Sequence, residues 1–235
     1  MIMEFPQARL LVFVKAPVPG QVKTRLTGML GKRGAARLYM ALLRHTLSLT
    51  TAANLCPIQL WCTPDTRHAF FTACRRDYGI ELRAQRGKDL GWRMAHAFSK
   101  TLATSPYALL IGGDCASLEV AELRLALAAL DSGRDAVLVP AEDGGYVLIG
   151  LQRSGPALFK GIRWGGKRVL AMTRRRLRRT GLNWLELPLG WDVDRPADVR
   201  RWKRLLDHSP SPTAGEGGSD AACQAVSPSP NDSVV

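Results

Sequence analysis

Residues 107–114 read Tyr107-Ala108-Leu109-Leu110-Ile111-Gly112-Gly113-Asp114, a short apolar run that stops on two glycines and an acid. An apolar run of this length, bounded by turn residues, has the signature of a strand buried on both faces, as in a parallel sheet. Its surroundings repeat the theme. Further strands are expected at 9–14, 58–63, 80–84 and 135–140, alternating with helical patterns at 32–51, 65–77, 89–104 and 118–130. In the first of these helices Leu38, Leu42 and Leu49 fall on one face. Beyond Pro140 the pattern gives strands at 146–151 and 184–187 and helices at 167–180 and 196–206. No linker or internal repeat interrupts residues 1–207, so one α/β domain is expected there. A mostly parallel sheet of this kind binds ligands beyond the carboxyl ends of its strands, which directs attention to the loops at those ends.

The chain has 235 residues, 46% hydrophobic and 23% charged, close to globular averages. That balance argues against a fibrous, membrane-embedded or wholly disordered protein. Its net charge of +13 implies an anionic partner, whether nucleic acid, an acidic membrane surface or nucleotide phosphates. The charge is uneven. Residues 208–235 hold Glu216, Asp220 and Asp232 with no Lys or Arg, and six Ser, four Pro and three Gly, so a disordered tail is expected there and residues 1–207 carry +16. The five cysteines form no CxxC pair and the four histidines show no zinc-ligand spacing, so free buried thiols are expected. The apolar run at 10–14 is too short for a signal-peptide core, and no stretch reaches the roughly 20 apolar residues of a membrane span. A cytoplasmic location is expected.

The first strand runs into Lys15-Ala16-Pro17-Val18-Pro19-Gly20-Gln21-Val22-Lys23-Thr24-Arg25. Prolines and Gly20 stiffen a turn that backbone can bring close to a ligand, and Lys15, Lys23 and Arg25 supply three cations suited to a di- or triphosphate. The loop matches neither dinucleotide nor P-loop signatures, and the near-match at 161–168 ends in Arg168 where a metal-binding hydroxyl belongs. Asp114, at a strand exit made roomy by glycines, is placed to hold Mg2+ or to contact substrate, or else to cap the next helix, a task Ser117 could also do. In Pro140-Ala141-Glu142-Asp143-Gly144-Gly145-Tyr146, Asp143 could accept hydrogen bonds or a proton, and Gly144 and Gly145 let backbone close on a ligand; a plain Asp-Gly hairpin is the alternative. Near the end, Trp191-Asp192-Val193-Asp194-Arg195-Pro196 offers a second carboxylate to face Asp114, with Asp194 first and Asp192 second, unless either acid only caps the last helix. Arg86 and Gly87, in Gln85-Arg86-Gly87-Lys88-Asp89-Leu90-Gly91, are further candidates for phosphate or base.

Taken together, Val22-Lys23-Thr24-Arg25-Leu26, the 85–91 segment, Ile111-Gly112-Gly113-Asp114-Cys115, the run 140–151 and 191–198 resemble one bacterial family of glycosyltransferase-A-like proteins, the radical-SAM/selenodomain-associated transferase 1 family. The resemblance spans about residues 8–206 with the motifs in order. It implies a three-layer α/β/α Rossmann-like sandwich of the nucleotide-diphospho-sugar transferase type, related to 2-phospho-L-lactate guanylyltransferase and the molybdenum-cofactor guanylyltransferases. On that resemblance Lys15, Lys23 and Arg25 bind the donor phosphates, and Pro19, Gly20, Arg86 and Gly87, read from their own loops, join them as nucleotide-binding candidates. The resemblance also implies Asp114 and Asp194 as ligands of Mg2+ (or Mn2+) and Asp143, Gly144 and Gly145 on the acceptor or sugar side; Asp192 is a further metal candidate, and Lys23 and Asp143 are the expected catalytic residues. The chain departs from the family pattern at Ala116, where Pro is common, at Trp92, where Glu is common, and at Gly165 and Gly166, where a Ser/Thr pair is usual.

The expected function is therefore Mg2+-dependent transfer from a nucleotide donor to a small-molecule acceptor, with glycosyl transfer preferred and nucleotidyl transfer the alternative. A nucleic-acid-binding module is the rival from another class. Its support is Lys167, Arg168, Arg174, Arg175, Arg176, Arg178 and Arg179, seven cations in thirteen residues. Val169, Leu170, Thr173 and Leu177 give that segment an inward stripe, so its arginines read as a solvated helix face, and no nucleic-acid-binding signature accompanies them.

Overall fold

Residues 10–14 are all buried in the first strand, β1 (Arg9–Lys15), and successive side chains leave a strand on opposite faces. Leu10, Val12 and Val14 enter one core and Leu11 and Phe13 the other, so this strand lies between two layers. The computed structural model describes residues 2–208. After β1 come a 3-10 turn (Thr24–Leu26), α1 (Thr27–Ala53), β2 (Ile58–Thr63), α2 (Ala69–Tyr78), β3 (Glu81–Ala84), α3 (Leu90–Thr101) and β4 (Ala108–Gly112). The second half contains α4 (Val120–Asp131), β5 (Ala136–Pro140), β6 (Tyr146–Leu151), α5 (Pro156–Phe159), α6 (Val169–Arg179), β7 (Trp184–Glu186) and α7 (Pro196–His208). The expected tail beyond α7, with Cys223, lies outside the described residues.

The strands form one seven-stranded sheet in the order β3-β2-β1-β4-β6-β5-β7. All pairings are parallel except those of β6, which runs antiparallel to both β4 and β5. One core packs Leu43 and Leu47 of α1, Phe71 of α2 and Leu127 of α4 on the sheet, and the other packs Met94 and Phe98 of α3, Phe159 of α5 and Leu177 of α6 on its far face. This is the expected three-layer α/β/α sandwich. A third cluster, with Leu26, Leu42, Trp191, Val193 and Trp202, binds the turn after β1 to α7. Cys56, Cys62, Cys74 and Cys115 are buried and free, as expected. Among the described residues no helix is long and apolar enough to cross a membrane.

The differences from the sequence reading have local causes. α1 begins earlier than expected, but Gly31 at φ 65 kinks it, so the regular helix starts where the periodicity starts. α2 begins later because Asp65 is spent on a turn with Arg67 and His68 Nδ1 caps the helix through Phe70 N. α4 is capped by a reciprocal Glu119–Glu122 box rather than by Ser117 or Asp114. α5, a single turn after Pro156, has too few residues to show a period and was not expected.

Candidate active site

From β1 the chain winds to β2 and β3 on one side, while β4 pairs on the other, so the sheet order reverses between β1 and β4. The crevice at such a reversal is the preferred ligand position in α/β sheets. The loops leaving β1 and β4 meet there in a cleft of about 490 Å3, a size suited to a small-molecule ligand. Lys15, Lys23, Arg25, Asp114 and Asp194 all line it, so the structure gathers five of the sequence-derived candidates, among them Lys23 and Asp194, 171 residues apart.

At its floor, Lys23 Nζ stands 2.6 Å from Asp114 Oδ2 and 3.0 Å from Asp194 Oδ1. Arg25 Nη1 reaches the other Asp194 oxygen at 3.0 Å. Burial disfavours the Lys23 ammonium, but the charges of Asp114 and Asp194 outweigh it and hold its pKa above the ordinary lysine value. Lys23 is also one of two described non-glycine residues with positive φ, at 46°, a left-handed conformation that turns the chain into the 3-10 segment. Lys15 Nζ donates to Gln21 O at 3.0 Å and closes the loop on itself.

Asp114 owes its place to the two glycines before it. A β-carbon on Gly113 would lie 2.8 Å from both Leu43 Cδ1 and Val14 Cγ1, so only glycine lets the strand exit pack against α1. Ser117 then ties this loop to the late one, donating to Trp191 O at 3.0 Å and accepting from Trp191 N at 2.8 Å. Capping of α7 falls to Asp198, which accepts from the amides of Asp194 and Arg195, so Asp192 and Asp194 are released from that task. Burial, then the nearby charge of Asp114, pushes Asp192 well above the usual carboxylate range, with Lys23 opposing. The charge of Asp143 adds the smallest push in the same direction.

The remaining candidates do not line this cleft. Pro19 and Gly20 form the outer turn of the first loop, with Gly20 at φ 81 beside the Lys32 stem, and neither lines the cleft. Arg86 is exposed and outside it, whereas Gly87 gives close passage against the backbone of Trp92 and Arg93. Asp89 caps α3 through Trp92 N. Asp143 Oδ1 accepts from Gly145 N at 2.9 Å, the Asp-Gly turn of the plainer reading. Gly144, at φ 88, approaches the backbone of Lys167 so closely that a β-carbon would stand 2.2 Å from its carbonyl oxygen. Backbone does close on Gly144, but it is the protein's own. Trp92 is 40% exposed with the Lys88 ammonium 5.8 Å from its ring.

Three cleft residues escaped the sequence reading. Tyr39, on the buried face of α1, accepts from Lys15 N at 2.9 Å, and burial followed by the Asp114 charge raises its pKa. Gln85 donates its side-chain amide to Val14 O and Trp61 O, bridging β1 and β2. Arg93, one turn into α3, lines the wall and donates to Gly87 O. A polar side chain at a strand exit signalled Gln85; nothing in the periodicity signalled Tyr39.

Asp114 and Asp194 share one cation, which makes them a pair of hard oxygen donors. Among the described residues no group of three or more His, Cys, Asp or Glu could hold a metal by itself. The residues therefore fit an ion that takes one or two carboxylates and fills its remaining positions with phosphate and water, the habit of Mg2+.

Comparison with known proteins agrees with this architecture. A Desulfovibrio desulfuricans G20 protein provisionally named a nucleotide-diphospho-sugar transferase is 33% identical over 87% of this chain and 90% of its own, with a TM-score of 0.78. A nucleotidyl transferase from Methanothermobacter shares the fold at 11% identity and a TM-score of 0.59, covering 86% of this chain and 99% of its own. The 4-diphosphocytidyl-2C-methyl-D-erythritol synthase of Anaerococcus prevotii does so at 10% identity and 0.57, over 86% and 97%. No curated protein matches the chain. A family model matches residues 46–166, and the chain belongs to that family, described as "Uncharacterized protein conserved in bacteria (DUF2064)".

Proposed function

We propose that this chain is a metal-assisted transferase that moves a glycosyl group from a nucleotide sugar to a small-molecule acceptor. The observation that carries the reading is the convergence of Lys23, Arg25, Asp114 and Asp194 at the sheet's reversal point, in a cleft of about 490 Å3. The 33%-identical relative, named for the nucleotide-diphospho-sugar transferases, supports the donor class. The ordered motifs further favour the radical-SAM/selenodomain-associated branch.

In this reading Lys15, Lys23 and Arg25 hold the donor diphosphate. Arg93 and Gln85, on the β3 side, face the nucleoside. Magnesium bound by Asp114 and Asp194 would supply further positive charge to the leaving diphosphate. The acceptor hydroxyl oxygen attacks the sugar C1, the C1–O bond to phosphate breaks, and its electron pair leaves on the nucleoside diphosphate. Asp143 takes the hydroxyl proton. Lys23 and Arg25 stabilise the negative charge that develops on the leaving group, usually a large electrostatic contribution.

A second reading, nucleotidyl transfer, is favoured by one observation: three cations of the first loop and Arg93 line the same cleft, enough for a triphosphate. A thermal-shift panel of nucleoside triphosphates and UDP-, GDP-, ADP- and dTDP-sugars, with and without Mg2+, tests both. A ligand at a hundred times its Kd stabilises by about 2.7 kcal/mol. Stabilisation by one diphospho-sugar supports glycosyl transfer, stabilisation by triphosphates alone supports the second reading, and none by any nucleotide refutes both.

A further inference from the structure

Lys23 stands where a metal would stand. Its ammonium lies between the two carboxylate oxygens nearest the cleft floor, 2.6 Å from Asp114 and 3.0 Å from Asp194. A magnesium ion held by Asp114 and Asp194 would need the carboxylate oxygens that the Lys23 ammonium now occupies. The two cations exclude one another.

The lysine is held firmly in that place. Its side chain is 3% exposed, against 29% for Asp114 and 43% for Asp194, so the ammonium is the most enclosed member of the trio. Its backbone keeps the left-handed conformation at φ 46 and ψ 43, which a residue with a β-carbon adopts only where surrounding contacts enforce it. Arg25 covers the remaining Asp194 oxygen. Two carboxylates are thus matched by two cations, and a free divalent ion meets a neutral cluster instead of a doubly negative one.

We propose that Lys23 is a resident counter-ion that makes metal binding conditional on nucleotide. Phosphates entering the cleft offer Lys23 and Arg25 new anionic partners, and only their departure exposes Asp114 and Asp194 to the metal. The pair of carboxylates is thereby kept from binding divalent ions when no donor is present. This rests on the nucleotide-donor reading above and adds to it an order of assembly.

The test is Mn2+ binding followed by the electron paramagnetic resonance of the free ion, for the full chain, in the presence and absence of a nucleoside diphosphate. Without nucleotide, Lys23→Met is expected to bind Mn2+ at least tenfold more tightly than the wild type. Arg25→Met removes a side chain 63% exposed and leaves the fold undisturbed; it is expected to gain several-fold. Thermal melts check that Lys23→Met folds, and Arg25→Met carries the test if it does not. Affinity for Mn2+ alone that is unchanged or weaker in the folded variants, while the wild type still binds Mn2+ with nucleotide, overturns the counter-ion role and leaves the donor reading standing. A wild type that binds no nucleotide with or without Mn2+ overturns the donor reading and the counter-ion role with it.

Discussion

Replacing Gly144 by alanine separates a structural from a ligand-binding role for the Gly-Gly pair after β5. The residue has φ 88, and an added β-carbon would meet the Lys167 carbonyl oxygen at 2.2 Å and its carbonyl carbon at 2.8 Å. Both obstacles are backbone, so no side-chain rotation relieves them. The segment is also pinned, because Leu170 N donates to Gly144 O at 2.9 Å and Gly144 N donates to Ala141 O at 3.0 Å. A left-handed conformation costs an L-residue about 1–2 kcal/mol. Forcing an extra methyl into a packed contact costs about 1–3 kcal/mol more. Taking about 3 kcal/mol, and 2–4 °C for each in a chain of this size, Tm falls by roughly 6–12 °C in scanning calorimetry. Gly145→Ala is the control: its nearest contact is the Asp143 carboxylate oxygen at 3.1 Å, at the end of a movable side chain, and its Tm is expected to stay near that of the wild type. If Gly144→Ala melts with the wild type, the close approach to Lys167 is not what selects glycine, and contact with a ligand becomes the better explanation.

Ser117→Ala removes both hydrogen bonds to the Trp191 backbone; loss of such partly buried bonds is expected to cost about 1–3 kcal/mol in denaturant unfolding and to weaken nucleotide binding through the loosened Asp192–Asp194 loop. Glu186 is held below its ordinary carboxylate range by the Arg174 guanidinium, so the unfolded chain binds its proton at higher pH than the native one. Stability therefore rises with pH through that window and is lost as pH falls below the ordinary value of 4.5; in Glu186→Gln, acid titration monitored by circular dichroism is expected to show a shallower loss. On α6, Arg174 is paired with Glu186 and Arg178 lies over Trp184, so only weak adhesion to DNA or RNA is expected, gone by 200 mM salt in filter binding.

The sheet was legible because strands buried on both faces must be continuous apolar runs, and residues 107–112 and 136–140 are such runs. The reversed direction of β6 was not, since periodicity carries no direction. Asp114 stood out because a carboxylate follows glycines at a buried strand's end. Lys23 was read as a phosphate ligand from its company in the first loop. Its pairing with Asp194, 171 residues away, is a fact of topology that local sequence does not encode. Gly144 was read as a place where backbone closes on a ligand; the close approach that the fold makes there is to the backbone of Lys167, on another loop. Tyr39 was hidden because an aromatic on an apolar helix face looks like core, and only the hydroxyl contact with Lys15 N sets it apart.

The most direct measurement is anomalous diffraction from a crystal grown with a nucleoside diphosphate and Mn2+. The account predicts a manganese peak bridging Asp114 and Asp194, with Lys23 Nζ moved from between them onto the phosphates. A manganese ion bound elsewhere, or a diphosphate outside the cleft between β1 and β4, would contradict it.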